Sequence, residues 1–158
     1  MNLIAPFDLS LDEFLRGPDS SEDLDVDRIF SVPFDRLMRE NAPYAESALD
    51  YDAASERTPS MVVPGAMFVG VAAGVILLDP RGKAIGCYVW SSLALDADWQ
   101  GLGLGRELVI ERSLREEANP VWALDTPSYS PAGVAAHAAA WRYARGHPAE
   151  IKARALAL

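Results

Sequence analysis

Leu93-Ala94-Leu95-Asp96-Ala97-Asp98-Trp99-Gln100-Gly101-Leu102-Gly103-Leu104-Gly105-Arg106 is the stretch whose order of residues decides the fold. Its apolar start reads as the end of a strand, and Asp96 and Asp98 make an acidic turn. Gly101, Gly103 and Gly105 follow, two residues apart, and residues 107–117 then read as an amphipathic helix. A glycine-rich turn between a strand and a helix N-terminus suits a phosphate. The first N–H groups of a helix lack partners, the helix dipole favours negative charge there, and glycine lets the backbone come close to an anion. The dinucleotide fingerprint G-x-G-x-x-G would need glycine at position 106, where Arg106 stands, and no Gly-Lys-Ser/Thr follows to make a Walker loop.

Upstream, residues 67–78 and 84–95 are rich in Val, Ile and Leu. Asp79-Pro80-Arg81-Gly82-Lys83 lies between them, with proline early and glycine late, as a turn requires. This predicts an antiparallel hairpin of two long strands, with Gly70, Gly74 and Gly86 marking bulges. Downstream, the helix stops at Asn119-Pro120 and residues 121–125 read as a strand. Pro131 is placed to open a further helix capped by Ser130, which runs to about Arg145 and ends at Gly146-His147-Pro148. Residues 151–158 alternate weakly and fit either a strand or a helix.

The first sixty residues are acidic and helical in pattern. Ser10-Leu11-Asp12-Glu13 is a capping box, and Leu11, Phe14 and Leu15 make a short apolar face that Gly17-Pro18 breaks. Residues 27–40 and 44–56 are two further helix candidates. We read residues 1–158 as one domain, with 1–60 the acidic helical part and 61–158 the sheet core.

With 158 residues, half of them hydrophobic, the chain suffices for one domain with a core. Fourteen Lys and Arg against 23 Asp and Glu leave a net charge of −9. That balance argues against nucleic acid and against anionic membranes as partners, because phosphate contacts need clustered cations, and it allows an amine-bearing substrate. Cys87, the single cysteine, excludes an internal disulfide and reads as a small core residue. Two histidines far from other ligands give no metal site. The N-terminus lacks a basic region and a long apolar core, and the longest apolar run, residues 66–78, falls short of the ~20 residues that span a bilayer. The expectation is a cytoplasmic protein.

Gln100, Gly103 and Gly105, with the strand before them and the helix and strand after, resemble the Gln/Arg-x-x-Gly-x-Gly/Ala motif of the GNAT superfamily of acetyl-CoA-dependent N-acetyltransferases. The resemblance covers residues 84–146. It implies an α/β fold with a mixed, mostly antiparallel sheet flanked by helices, and acetyl-CoA as cosubstrate. The implied reaction moves an acetyl group to an amine of a small molecule, peptide or protein. Direct attack by the amine is expected, since no activated Cys or Ser nucleophile is evident.

On that resemblance, Gln100, Gly101, Leu102, Gly103, Leu104, Gly105 and Arg106 would hold the pyrophosphate of coenzyme A. Main-chain groups of Leu93, Ala94 and Leu95 would hold the pantetheine arm and the acetyl carbonyl. The family often places a general-base Glu on its fourth strand, and residues 84–95 contain none. A water-relayed base could be Asp96 or a carboxylate of the N-terminal part, and Asp96 equally fits a plain turn role. The family's spacing after its fifth strand, counted from Leu124, puts Ser130 at an Asn position that contacts cofactor and His137 at the position of the Tyr acid. His137 could donate a proton near neutral pH, and the alanines around it would let the cofactor pack close. Tyr143 is the second acid candidate, roughly 240° around the helix from His137, so the two face apart.

The family's first two helices shape an acceptor pocket, for which Tyr44, Asp50, Tyr51 and Asp52 are available. The family adds two strands after its last helix, and this chain has room for one at most. The C-terminus is therefore shortened, and a homodimer covering the exposed sheet edge is expected. The rival reading is a non-catalytic coenzyme A-binding or protein-interaction module on the same fold. A transferase acting on charged tRNA would call for a basic patch.

Overall fold

The structure, a computed structural model, describes residues 6–16, 57–71, 74–89, 92–116 and 131–158. The elements in order are α1 (Leu11–Arg16), β1 (Arg57–Pro59), β2 (Met67–Val71), β3 (Gly74–Leu78), β4 (Ala84–Val89) and β5 (Ser92–Leu95). A 3-10 turn at Ala97–Trp99 leads to α2 (Leu104–Glu116), α3 (Pro131–Gly146) and α4 (Pro148–Leu156). The strands form one sheet in the order β1-β2-β3-β4-β5, every neighbour antiparallel. The α/β class and the mostly antiparallel sheet are as expected. The strand expected at residues 121–125, Ser130, and the helix candidates at 27–40 and 44–56 with Tyr44, Asp50, Tyr51 and Asp52 lie outside the described residues.

The two long strands of the expected hairpin are each two shorter ones. Val71 pairs with Gly74 and Val89 with Ser92, so the chain reverses between those partners and the hairpin becomes a four-strand meander. The turn between β3 and β4 is as read. Asp79 and Gly82 close it by an N–H···O bond of 2.9 Å, and the Asp79 Oδ1 accepts from the N–H of Arg81 and Lys83. Of the three glycines expected at bulges, Gly86 lies beside the register shift at Leu77/Leu78 and Gly74 opens β3 after the reversal. Gly70 sits in regular pairing with Val75.

One sheet face packs Phe68, Val75, Leu77, Ile85, Tyr88 and Leu93 against Leu104, Leu108, Ile110 and Leu114 of α2. Phe7 and Phe14 join that core from the N-terminal segment, Ala140 and Ala144 from α3, and Ile151 from α4. The Ser10–Glu13 capping box closes both ways. The Glu13 N–H donates to Ser10 Oγ at 3.2 Å and the Ser10 N–H to Glu13 Oε2 at 3.0 Å. The segment is fastened to α3 where the Trp141 indole donates to the Leu9 carbonyl at 2.8 Å. Cys87 is fully buried, and burial pushes its thiol up to about 12.

The alternative left open at residues 151–158 resolves to helix: α4, ending at Leu156, buries Ile151 and Arg154 against the rest of the molecule. A dimer built on a C-terminal strand therefore loses its ground. One expectation about helices is corrected: α2 is not amphipathic toward solvent. Glu107, Glu111, Arg112 and Ser113 are as buried as its leucines. Arg154 of α4 reaches both acids, at 3.5 Å from Glu107 Oε2 and 3.0 Å from Glu111 Oε1, so the charged stripe is an internal ion-pair seam rather than a surface. Among the described residues no helix is long and apolar enough to cross a membrane.

Candidate functional site

The glycine turn stands where β5 hands the chain to α2. Asp96 follows β5 and caps the 3-10 turn, its Oδ1 accepting from the Asp98 N–H at 2.9 Å. Gln100 folds its side chain back, and Nε2 donates to the Leu95 carbonyl at 3.1 Å. Gly101 and Gly103 then take φ of +80° and +89°, the left-handed region that other residues enter at a cost. Leu102 between them is about half exposed. The first main-chain donor of α2 with a partner in the helix direction is Glu107, whose N–H reaches the Gly103 carbonyl at 3.2 Å. The N–H groups of Leu104, Gly105 and Arg106 precede it and make no main-chain bond among the described residues. They stand at the positive end of the α2 dipole.

Glu107, on that first turn, puts no charge into the opening. Its carboxylate points the other way and accepts from the Met61 N–H at 2.9 Å and the Ser60 hydroxyl at 3.0 Å, with Arg154 beside it. This ties the 60–65 loop to the start of α2, and Val62 stands 3.8 Å from the position a Cβ on Gly103 would take.

The strand beside the turn has a free side among the described residues. The Asp96 N–H donates to the Ile85 carbonyl at 2.8 Å, which sets the parity of the β4–β5 ladder. Ala94, two residues earlier, turns its main chain to Cys87, while Leu93 and Leu95 direct theirs away from β4. Gln100 takes the Leu95 carbonyl. The Leu93 N–H and carbonyl and the Leu95 N–H are therefore turned away from β4, with no partner strand among the described residues.

The two acid candidates on α3 do face apart. His137 points into the core. Its Nδ1–H donates to the Gly133 carbonyl at 2.7 Å, and Nε2 accepts from the Tyr88 hydroxyl at 2.8 Å. It is 1% exposed, and burial brings its pKa down to about 4, the Gly133 bond pulling the other way. The alanines around it pack against protein: Ala138, Ala140 and Ala144 are buried, and Ala136 lies against Gly105 where α3 crosses α2.

Tyr143 is the residue that α3 brings to the glycine turn. The Arg106 guanidinium lies over its ring, 4.1 Å from the centroid, and Nη2 of Arg106 is 3.5 Å from the Cβ position of Gly103. The Tyr143 hydroxyl donates to Glu150 Oε2 at 2.6 Å. That bond, first among the causes, raises the phenol pKa. Glu150 and His147, both at the start of the last helix, carry no signal in the sequence for this role. They become visible only once α4 is seen to turn back beside α3.

Comparison with family models, curated proteins and solved structures finds no match.

Proposed function

We propose that this chain binds coenzyme A at the glycine turn and transfers an acetyl group from acetyl-CoA to an amine. The observation that carries the reading is the pairing of two features. Among the described residues, a turn with left-handed Gly101 and Gly103 opens α2 with free N–H groups, and β5 runs into it with the main chain of Leu93 and Leu95 open on one side. A diphosphate suits the first and the amide-bearing pantetheine arm suits the second. The resemblance of Gln100, Gly103 and Gly105 to the GNAT motif points to the same ligand.

In the proposed reaction the amine nitrogen attacks the thioester carbonyl, and a strand N–H from Leu93 or Leu95 stabilises the oxyanion. The C–S bond breaks as the amide forms and the thiolate of coenzyme A leaves, and the amine proton passes through water to Asp96, whose second carboxylate oxygen has no partner among the described residues beside its turn bond. The proposed setting is the cytoplasm, and the proposed assembly is a homodimer that covers the exposed sheet edge.

One observation favours the rival reading, a coenzyme A-binding module without turnover: His137 is enclosed, neutral and fully hydrogen-bonded. The two are separated by titration with acetyl-CoA followed by thiol release in the presence of amines. Binding with thiol release supports the transferase, binding without release supports the module, and no binding removes both.

A further inference from the structure

We infer that Tyr143 serves this site as the platform that holds the Arg106 guanidinium beside the glycine turn for a diphosphate, with Glu150 fixing the platform. The inference rests on the reading of the turn as a diphosphate site, and it gives Tyr143 a positioning role in place of a proton donor's.

The Tyr143 ring has a neighbour on each face. Arg106 lies on one, and the His147 ring stacks on the other, centroids 4.1 Å apart and planes 16° from parallel. His147 is fastened to the same residue, its Nδ1–H donating to the Tyr143 carbonyl at 2.9 Å. Rotation of the ring is further restrained at its tip by the bond to Glu150. The guanidinium is therefore held by a flat, anchored surface rather than by a carboxylate. Among the described residues no Asp or Glu pairs with Arg106, and its Nε is buried without a hydrogen-bond partner. A cation held against an aromatic face keeps its charge for a third group. Here that charge stands beside Gly103 and the first N–H groups of α2, which have no partner among the described residues, so the third group it suits is an anion bound in the turn.

The geometry does not suit proton donation by Tyr143. Its hydroxyl hydrogen is directed to Glu150, toward α4, and its ring sits at the Arg106 end of the turn. A group that donated to the leaving thiolate would stand by the strand, where the thioester is proposed.

The test is calorimetric titration of the full chain with inorganic pyrophosphate and, separately, with acetyl-CoA. The variants are Arg106→Ala, Tyr143→Leu, Tyr143→Phe and Glu150→Gln, with thermal unfolding to show that each folds. Tyr143→Leu and Arg106→Ala should weaken pyrophosphate to a similar extent, about tenfold, while Tyr143→Phe, which keeps the ring, stays within about threefold. In turnover, Tyr143→Leu should act on KM for acetyl-CoA more than on kcat. The inference is overturned if wild type does not bind pyrophosphate. It is overturned equally if Tyr143→Phe lowers kcat as far as Tyr143→Leu at unchanged affinity. Pyrophosphate binding without acetyl-CoA binding would support the platform and remove the acetyl-CoA reading.

Discussion

The Tyr88 hydroxyl donates to His137 Nε2 across 2.8 Å in the core between β4 and α3, which places the ring proton on Nδ1. The pair joins strand to helix only while His137 is neutral, because a protonated imidazole has no lone pair to accept the bond. Arg112, whose guanidinium lies 4.7 Å over the Tyr88 ring, adds a like charge that disfavours protonation further.

A pH dependence of stability follows. The folded-state pKa of His137, about 4, is below the ordinary 6.5, so the unfolded chain binds the proton more readily. The stabilisation is complete above about pH 6.5 and is lost as pH falls toward 4, amounting to about 3 kcal/mol in all. Urea unfolding at pH 7 and pH 4.5 should show this loss in wild type and a smaller one in His137→Gln, which cannot titrate. Equal losses in the two proteins would remove His137 as the cause.

Arg154 is the pivot of the buried charge seam. It is 7% exposed and reaches Glu107 and Glu111, which are 2% and 0% exposed. Removing Arg154 leaves the buried Glu107 carboxylate without that cation and Glu111 with Arg115 at 3.6 Å. Arg154→Leu should therefore cost about 3–5 kcal/mol in denaturant unfolding at neutral pH. The exposed neighbour Lys152→Leu serves as the control and should change stability by no more than about 0.5 kcal/mol.

Gly101 gives a clean reading of backbone strain. A Cβ there would meet nothing within 4 Å, yet φ is +80°. Gly101→Ala should thus cost about 1 kcal/mol from the left-handed backbone alone, with no clash to add to it. A stability equal to wild type would mean that the turn relaxes to another conformation.

Much of the scaffold is legible in the residues, because its signals are local. The Ser10–Glu13 box, the Asp79–Lys83 turn and the helix after Gly103 each follow from chemistry within five residues. The reversals after Val71 and Val89 are not marked in that way. They fall inside Val-Ala-Ala-Gly and Val-Trp-Ser-Ser, where a lone Gly74 and the pair Ser91-Ser92 are the turn residues, and these sit among apolar neighbours so that each strand pair reads as one run. Spacing sets His137 and Tyr143 on different faces of α3. Which face meets the glycine turn depends on how α3 crosses α2 at Ala136 and Gly105, a tertiary fact. The same holds for the charges of α2, which read as a solvated stripe until Arg154 is brought to them by α4, a helix of nine residues.

The most direct measurement of the central claim is calorimetric titration of the folded chain with acetyl-CoA, wild type beside Gly103→Glu. Position 103 has φ +89° and lies against Arg106, so a glutamate there would bring a side chain and a negative charge to the proposed diphosphate. The account predicts saturable one-site binding by wild type, and none by a Gly103→Glu protein that still unfolds cooperatively. Absence of binding by wild type at millimolar acetyl-CoA, or equal binding by both proteins, would contradict it.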